Sequence, residues 1–251
     1  HATHAAGVAD ARVHALQDSV PQLDEIRRGQ QQSVNTESAR QADLSARMEA
    51  LKALQEKVKT DGKLQPWLAK HGLADLAGLW TKIHIEQGWE NALEAALRER
   101  MGALEVSRLE MVRAFGADAP PAKLAFYSPP LAGVTEKAST LPRLSELLRV
   151  SDAGLKAVLV DWLQGCFVAQ SFEEALANRG QLQSGETLYV KTGHAVTHHS
   201  VSFYAQDSEQ AGLLARAQEI ENLEKQLRAQ ALISDESRSA LVRAEAAYAD
   251  A

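Results

Sequence analysis

Hydrophobic positions recur every seven residues through the first sixty residues of the chain. One seam reads Val13, Val20, Arg27, Val34, Gln41, Met48 and Gln55; its companion reads Leu16, Leu23, Gln30, Glu37, Leu44, Leu51 and Val58. Nine of these fourteen positions are aliphatic or Met, with glutamines and charges between them, which is the pattern of a coiled-coil strand. Pro21 lacks the N–H that a helix interior needs, so a break or fresh start is predicted there, with Ser19 as its cap. The last forty residues carry a second seam, Leu213, Ile220, Leu227, Ser234, Leu241 and Tyr248, joined three residues on by Leu223 and Ala244. Arg216, Gln230, Ser234 and Ser237 weaken it. The stretch from Ile233 to Ser237 predicts a local interruption, because short polar side chains compete for backbone hydrogen bonds. A single helix docked on its own domain is the alternative, but roughly 40 residues at ~1.5 Å rise reach about 60 Å, beyond a small domain.

Residues 61 to 208 read as mixed α/β. Asp61-Gly62 marks the exit from the first arm. Leu79, Thr81, Ile83 and Ile85 alternate with Trp80, Lys82, His84 and Glu86, as in a half-buried strand. Gly88 then opens a helix whose Trp89, Ala92, Leu93, Ala96 and Leu97 share one face. A short strand over Ala103 to Val106 and a helix around Glu110 to Phe115 follow. Pro120-Pro121 and Pro129-Pro130 bracket a strand over Lys123 to Tyr127, and residues 131 to 142 read as a linker. The second half begins with a helix over Leu155 to Leu163, broken by Gly165 before a strand over Cys166 to Ala169. Ser171 and Glu174 form a capping box for a helix that Gly180 ends. Glu186 to Lys191 and Ala195 to Tyr204 read as strands joined through Thr192-Gly193. The order helix, Gly102, strand, Ser107, helix repeats as helix, Gly165, strand, Ser171, helix, a duplicated α/β unit.

The direction of the chain constrains how the arms meet. The first helix enters the central domain and the second leaves it, so a mutual pairing must be antiparallel, a rod with a globular tip. The lengths agree: about 40 residues from Pro21 to Thr60 and 43 from Glu209 to Ala251. The expected organisation is a coiled-coil arm over 1–60, a central domain over 61–208 with halves near 61–130 and 143–208, and a second arm over 209–251.

Composition narrows the classes further. Hydrophobic residues make up 45% and charged residues 24%, an ordinary globular mixture. Aromatics at 5% are few for a large core, as long helices around a modest domain require. The net charge of −6 gives no basic footprint over the whole chain, and residues 61–208 carry 14 basic against 17 acidic residues. The one cysteine, Cys166, excludes a disulfide framework within the chain and fits a reducing compartment. No apolar run approaches a membrane span, and no signal-peptide pattern opens the sequence. The chain begins at His1 and its helical pattern is cut at both ends, so an internal piece of a longer protein is expected.

Most catalytic signatures are missing. No G-x-x-x-x-G-K-[ST], no G-x-G-x-x-G after a strand and no G-x-S-x-G elbow occurs. His194, His198 and His199 cluster without an interleaved Cys, Asp or Glu; on a strand, His194 and His198 would face one way and His199 the other, so a polar face or interface is expected rather than a metal site. Cys166 lies in an apolar strand and reads as a small buried hydrophobe. Trp67, Trp80, Trp89 and Trp162 read as core. Lys82, Lys123, Arg143, Arg149, Lys156, Arg179, Lys191 and Arg216 are the basic residues from which a local patch would have to be built; a scattered solvated surface is the expectation.

The order coiled coil, duplicated α/β unit, coiled coil resembles the hinge region of the structural maintenance of chromosomes (SMC) proteins. Gly78 to Leu97 looks like the family's opening strand and its "Y-x-x-A-I-E-x-A-L" helix, with Trp89 for the aromatic and Ala92, Leu93 and Glu94 matching directly. Ala103 to Val106 looks like the "I-V-V" strand. Lys123 to Tyr127 resembles "G-R-A-T-F", with Lys for Arg and without the glycine. Val190-Lys-Thr-Gly193 is similar to the "V-T-x-x-G" turn, and Arg216 to Glu224 to the "R-x-x-E-I-x-x-L-E" start of the outgoing arm. The closest flavour is a bacterial, chromosome-condensing SMC. One departure stands out: the family's glycine-rich stretch after the last strand reads here Ser200 to Ser208, with no glycine.

The resemblance implies an α+β hinge domain of two similar halves flanked by an antiparallel intramolecular coiled coil. It implies a homodimer formed through the hinge, with Gly193, Val196, Val201 and Phe203 as candidate contacts. It implies ATPase heads, with ATP and Mg, built from segments outside this chain, and no cofactor or catalytic residue within it. The complete protein would entrap and condense DNA for chromosome segregation in the cytoplasm, on the nucleoid, with accessory subunits on the heads. Weak DNA contact at the hinge would fall to Lys123, Lys191 and Arg216. Two other classes remain on the residues alone: a coiled-coil scaffolding protein with an inserted α/β interaction domain, and a small-molecule enzyme with helical oligomerisation arms.

Overall fold

The computed structural model describes residues 2–59, 62–205 and 212–251. The expected exit at Asp61, the side chain of Val58, the residues Gln206 to Ser208 of the glycine-free stretch and the start of the second arm at Glu209 lie outside the described residues. The chain divides into two compact units, His1–Lys52 with Ile220–Ala251, and Ala53–Glu219.

The first unit is a pair of antiparallel helices. Helix α1 (Ala2–Lys59) and helix α6 (Leu213–Ala249) supply its strands. Arg27 lies over the ring of Tyr248, Ser33 meets Ser237, Gln230 donates to Glu37, and Lys52 pairs with Glu224. Rising numbers on α1 thus meet falling numbers on α6. Every seam position from Val20 to Leu51 is half-buried, whereas Val13 and Leu16 are exposed.

Two expected helix breaks do not occur. Pro21 sits inside α1 on its exposed side, and Ser19 donates its hydroxyl back to the Leu16 carbonyl at 3.3 Å instead of capping a new helix. The proline removes one backbone bond, and seam packing on both sides of it carries the helix through. Helix α6 likewise continues through Ile233 to Ser237. Gln230 and Ser234 are buried there rather than fraying the backbone.

The second unit contains the short elements. Helix α2 (Leu64–Lys70) places Trp67 and Leu68 over Leu104, with Phe115 and Phe126 alongside. Strand β1 (His84–Ile85), helix α3 (Glu90–Leu97), strand β2 (Leu104–Glu105) and strand β3 (Phe126–Tyr127) follow. Strand β4 (Leu148–Arg149), helix α4 (Ala153–Trp162), strand β5 (Cys166–Val168), helix α5 (Phe172–Asn178) and strands β6 (Thr187–Tyr189), β7 (Ala195–Val196) and β8 (Val201–Ser202) complete it.

The duplication is visible in the pairings. Strand β2 pairs β3 in parallel, and β5 pairs β6 in parallel. Gly78 bridges Leu104 on β2 as Arg143 bridges Phe167 on β5, each antiparallel. After each bridge comes a 3₁₀ turn, over Leu79–Thr81 in one half and Leu144–Leu147 in the other, then a short strand and a helix. The halves are joined by β1 and β4, antiparallel, with Ile85 opposite Leu148. Leu79, Leu93 and Leu97 share one core with Leu144, Leu155, Leu159 and Leu163. Phe167, Leu188, Val190 and Val196 build a second one.

Three elements differ from their sequence reading. Of the strand expected over Leu79 to Glu86 only His84–Ile85 is a strand; Thr81 donates its backbone N–H to the Gly78 carbonyl in a turn, and Leu79 and Ile83 are buried in the core. The helix around Glu110 is a 3₁₀ segment, Leu109–Gly116, with Leu109 and Met111 exposed. The strand over Ala195 to Tyr204 is a hairpin, β7 and β8, turned by Thr197 and Ser200, whose backbone groups bond at 2.8 Å.

Candidate partner interface

Strand β8 ends a four-stranded sheet in the order β5-β6-β7-β8 and pairs only β7 among the described residues. Its outer edge therefore presents backbone N–H and C=O groups without a strand partner. The residues here point to alternate sides, as an extended chain must. Phe203 is 73% exposed and Val201 39%, while Tyr204 turns inward. The Phe203 ring lies 5.8 Å from Phe172 and 5.1 Å from His194, ring centre to ring centre. An apolar and aromatic surface thus adjoins a bare strand edge, which is what a partner strand needs for backbone bonding and desolvation.

The four contact candidates separate. Val201 and Phe203 are on the surface. Val196 is fully buried among Phe167, Ala169 and Leu188, so it belongs to the core and not to a contact face. Gly193 makes the turn before β7 with φ +88°, and it is buried against Tyr204.

Behind the edge lies a polar network that the sequence reading did not assign. Glu94 of α3 is buried. Its carboxylate accepts from the backbone N–H of Leu213 at 3.0 Å and of Gly212 at 3.1 Å, and from the Tyr204 hydroxyl at 3.3 Å. Burial raises Glu94 above the usual carboxylate range, against the three donors and nearby Arg216, which lower it. Burial and the adjacent carboxylate push the Tyr204 hydroxyl up to about 12, so it stays protonated and donates. The Tyr204 N–H donates to His194 Nδ1 at 3.0 Å, which assigns the ring proton of neutral His194 to Nε2. A sequence signal did exist: Glu94 is a lone acid among Ala92, Leu93, Ala96 and Leu97, all buried.

The basic candidates are on three different elements. Lys123 is exposed on the loop before β3. Lys191 follows β6, its Nζ 5.7 Å from the centre of the Trp89 ring. Arg216, on α6, donates from Nε to Gln55 at 2.9 Å. His198 and His199 lie in the β7–β8 turn, rings 4.5 Å apart, beside a shallow depression lined also by Leu182 to Thr187. No group of three metal-ligand side chains occurs among the described residues. Cys166 packs against the larger core, and burial pushes its thiol up to about 11. Trp67 is buried with Leu68 and Leu104, Trp89 is buried in the larger core, and Trp80 and Trp162 pack against that larger core. Among the described residues no helix is long and apolar enough to cross a membrane.

Residues 74–179 match the family described as the SMC proteins flexible hinge domain. The chain is 71% identical over 250 residues to the chromosome partition protein Smc of Delftia acidovorans, covering 98% of this chain and 21% of that protein. It is 57% identical over 235 residues to the protein of the same name from Burkholderia pseudomallei, covering 93% and 20%. The chain thus spans about a fifth of the length of these relatives. Among solved structures, an asymmetric dimer of the Geobacillus stearothermophilus SMC hinge domain superposes with a TM-score of 0.68 at 16% identity, covering 92% of this chain and 98% of that one. That likeness establishes the fold.

Proposed function

Because this chain belongs to the SMC family through its flexible hinge domain, we propose that it joins two copies of a chromosome partition protein by pairing the β8 edge of each copy with the other. The exposed Phe203 beside a strand edge that has no outer partner among the described residues carries this reading. A two-fold pairing of the first half of one copy with the second half of the other gives two equivalent contacts. Strand β3, which pairs only β2 among the described residues, offers an edge in the first half. With Phe203 and Tyr204 in the stretch where the family carries glycines, the contact relies on apolar packing more than on close backbone approach.

Sedimentation of the wild-type chain and of Phe203→Asp tests this. The wild type sediments as a dimer at micromolar concentrations, and the variant as a monomer with unchanged helical circular dichroism. Phe203 lies outside the core, so its replacement leaves the fold in place and buries a charge only in the dimer. A monomeric wild type, or a variant that remains dimeric, overturns the reading.

The relatives named chromosome partition protein Smc support a wider role. The complete protein binds ATP and Mg at heads outside this chain, carries accessory subunits there, and entraps and condenses DNA on the cytoplasmic nucleoid. This chain turns over no ATP by itself. Its own DNA contact is weak and independent of sequence, made to phosphates by exposed residues such as Lys123 and Lys191, with Arg216 contributing only as far as its bond to Gln55 allows. Titration of duplex DNA at rising salt checks this: affinity falls steeply with salt and falls further in the Lys123→Ala, Lys191→Ala variant. An affinity unchanged by salt overturns it.

A further inference from the structure

Tyr204 is held at three points, two at the start of the β7–β8 hairpin and one on α3. Its N–H bonds His194 at the start of the β7–β8 hairpin, and its ring covers Gly193. Its hydroxyl reaches Glu94 on α3 in the first half. The neighbouring residue is Phe203, the most exposed aromatic of the proposed contact face. Phe203 is joined to Tyr204 by one planar peptide unit whose N–H is the group bonded to His194, so a partner that seats Phe203 acts on the anchor of Tyr204.

Glu94 divides its carboxylate between two tasks. One oxygen, Oε2, accepts from both Tyr204 and the Gly212 N–H; the other, Oε1, accepts from the Leu213 N–H. Leu213 is the first residue of α6, and Gly212 before it has φ +78°. The first N–H groups of a helix have no partner within it, and a carboxylate there supplies both acceptors and a favourable charge. A glutamate from a distant helix therefore caps α6: Oε1 takes the Leu213 N–H, and Oε2 is shared between the Gly212 N–H just before the helix and the residue behind the contact strand.

We propose that Glu94 and Tyr204 are positioning residues that couple the β8 edge to the first turn of α6, so that engagement of the edge by a partner tightens the start of the outgoing helix. The link to a partner rests on the proposed dimer contact; the coupling through Glu94 does not need it. Coupling between two sites is reciprocal, so loss of the cap at Glu94 also weakens the contact at β8, although Glu94 is buried in its own chain.

Amide hydrogen exchange resolved at Gly212 and Leu213 tests the coupling, with the amides of Phe167 and Leu188 in the sheet as controls. It is measured in the wild type, Tyr204→Phe, Glu94→Gln and the double variant, each also in a Phe203→Asp background. Tyr204→Phe speeds exchange at Gly212 and Leu213 several-fold and leaves the sheet amides unchanged, in both backgrounds. The double variant exchanges no faster than Glu94→Gln alone, because the two residues act through one carboxylate. In the wild type, Leu213 exchanges more slowly in the dimer than in the Phe203→Asp monomer, and Tyr204→Phe removes that difference. Unchanged exchange at Gly212 and Leu213 in Tyr204→Phe, a uniform increase that includes the sheet, or additive effects in the double variant overturns the coupling. A wild type that sediments as a monomer removes the dimer contact instead, and the exchange in that monomer still decides the coupling.

Discussion

Gly193 and Tyr204 fit together only because residue 193 has no side chain. A Cβ there would stand 2.7 Å from Cγ of Tyr204 and 2.9 Å from the Asn91 carbonyl oxygen, and the backbone at 193 has φ +88°. A left-handed conformation and an overlap with backbone both oppose any larger residue. Gly193→Ala is expected to cost about 2–5 kcal/mol, summing the conformational penalty with overpacking. Urea unfolding of the variant checks this; a loss under about 1 kcal/mol, the ordinary scale of a glycine exchange, contradicts the close fit.

The antiparallel pairing of the arms is tested by a disulfide. Ser33 and Ser237 have their hydroxyl oxygens 3.5 Å apart. In a Cys166→Ala background, Ser33→Cys with Ser237→Cys is expected to oxidise within one chain, seen as faster migration on a non-reducing gel. Crosslinks found only between chains would contradict the pairing.

Ser234 is 2% exposed and its hydroxyl has no hydrogen-bond partner among the described residues. A buried, unpaired hydroxyl carries its desolvation cost with no return. Ser234→Ala is expected to stabilise the chain by about 1 kcal/mol, read from the shift of the urea midpoint. A destabilised variant would mean that the hydroxyl does bond.

The raised proton affinity of Glu94 fixes the sign of a pH effect. Burial holds its folded-state value above the ordinary 4.5. Below 4.5 the carboxyl is protonated in both states, and between the ordinary and the raised value the folded state binds more protons. Stability contributed by this residue is therefore present at low pH and declines as pH rises through that window. Tyr204 and Arg216 are the titratable groups facing it. Glu94→Gln does not titrate, so the melting temperature of the wild type minus that of the variant is expected to fall as pH rises just above 4.5, then level off. A difference that grows over this range would contradict the assignment.

The arms were readable because their signal is local and repeated. Each seven-residue step in α1 restates the same face, and its seam positions from Val20 to Leu51 are all half-buried as that repeat requires. Helix α3 was readable for the same reason, from the spacing of Trp89, Leu93 and Leu97. So was the cap of α5, where Ser171 accepts from the Glu174 N–H at 3.1 Å. The family resemblance rested on the order of such elements, and that order is a property of the sequence.

Strands of two residues have no period to read, so the β7–β8 hairpin and the β1–β4 joint between the halves emerge only when the chain is folded. The polar residues that weaken each seam also make sense only in pairs: Gln230 bonds Glu37 across 193 positions of sequence, and Arg216 bonds Gln55 across 161. Neither partner can be chosen from one strand of the seam. The heptads alone determined that two helices pair and with which faces. Tertiary structure decided that Val196 is core, that Phe203 is surface, and that Glu94 caps a helix more than a hundred residues away, because exposure and hydrogen-bond partnership depend on what packs from elsewhere in the chain.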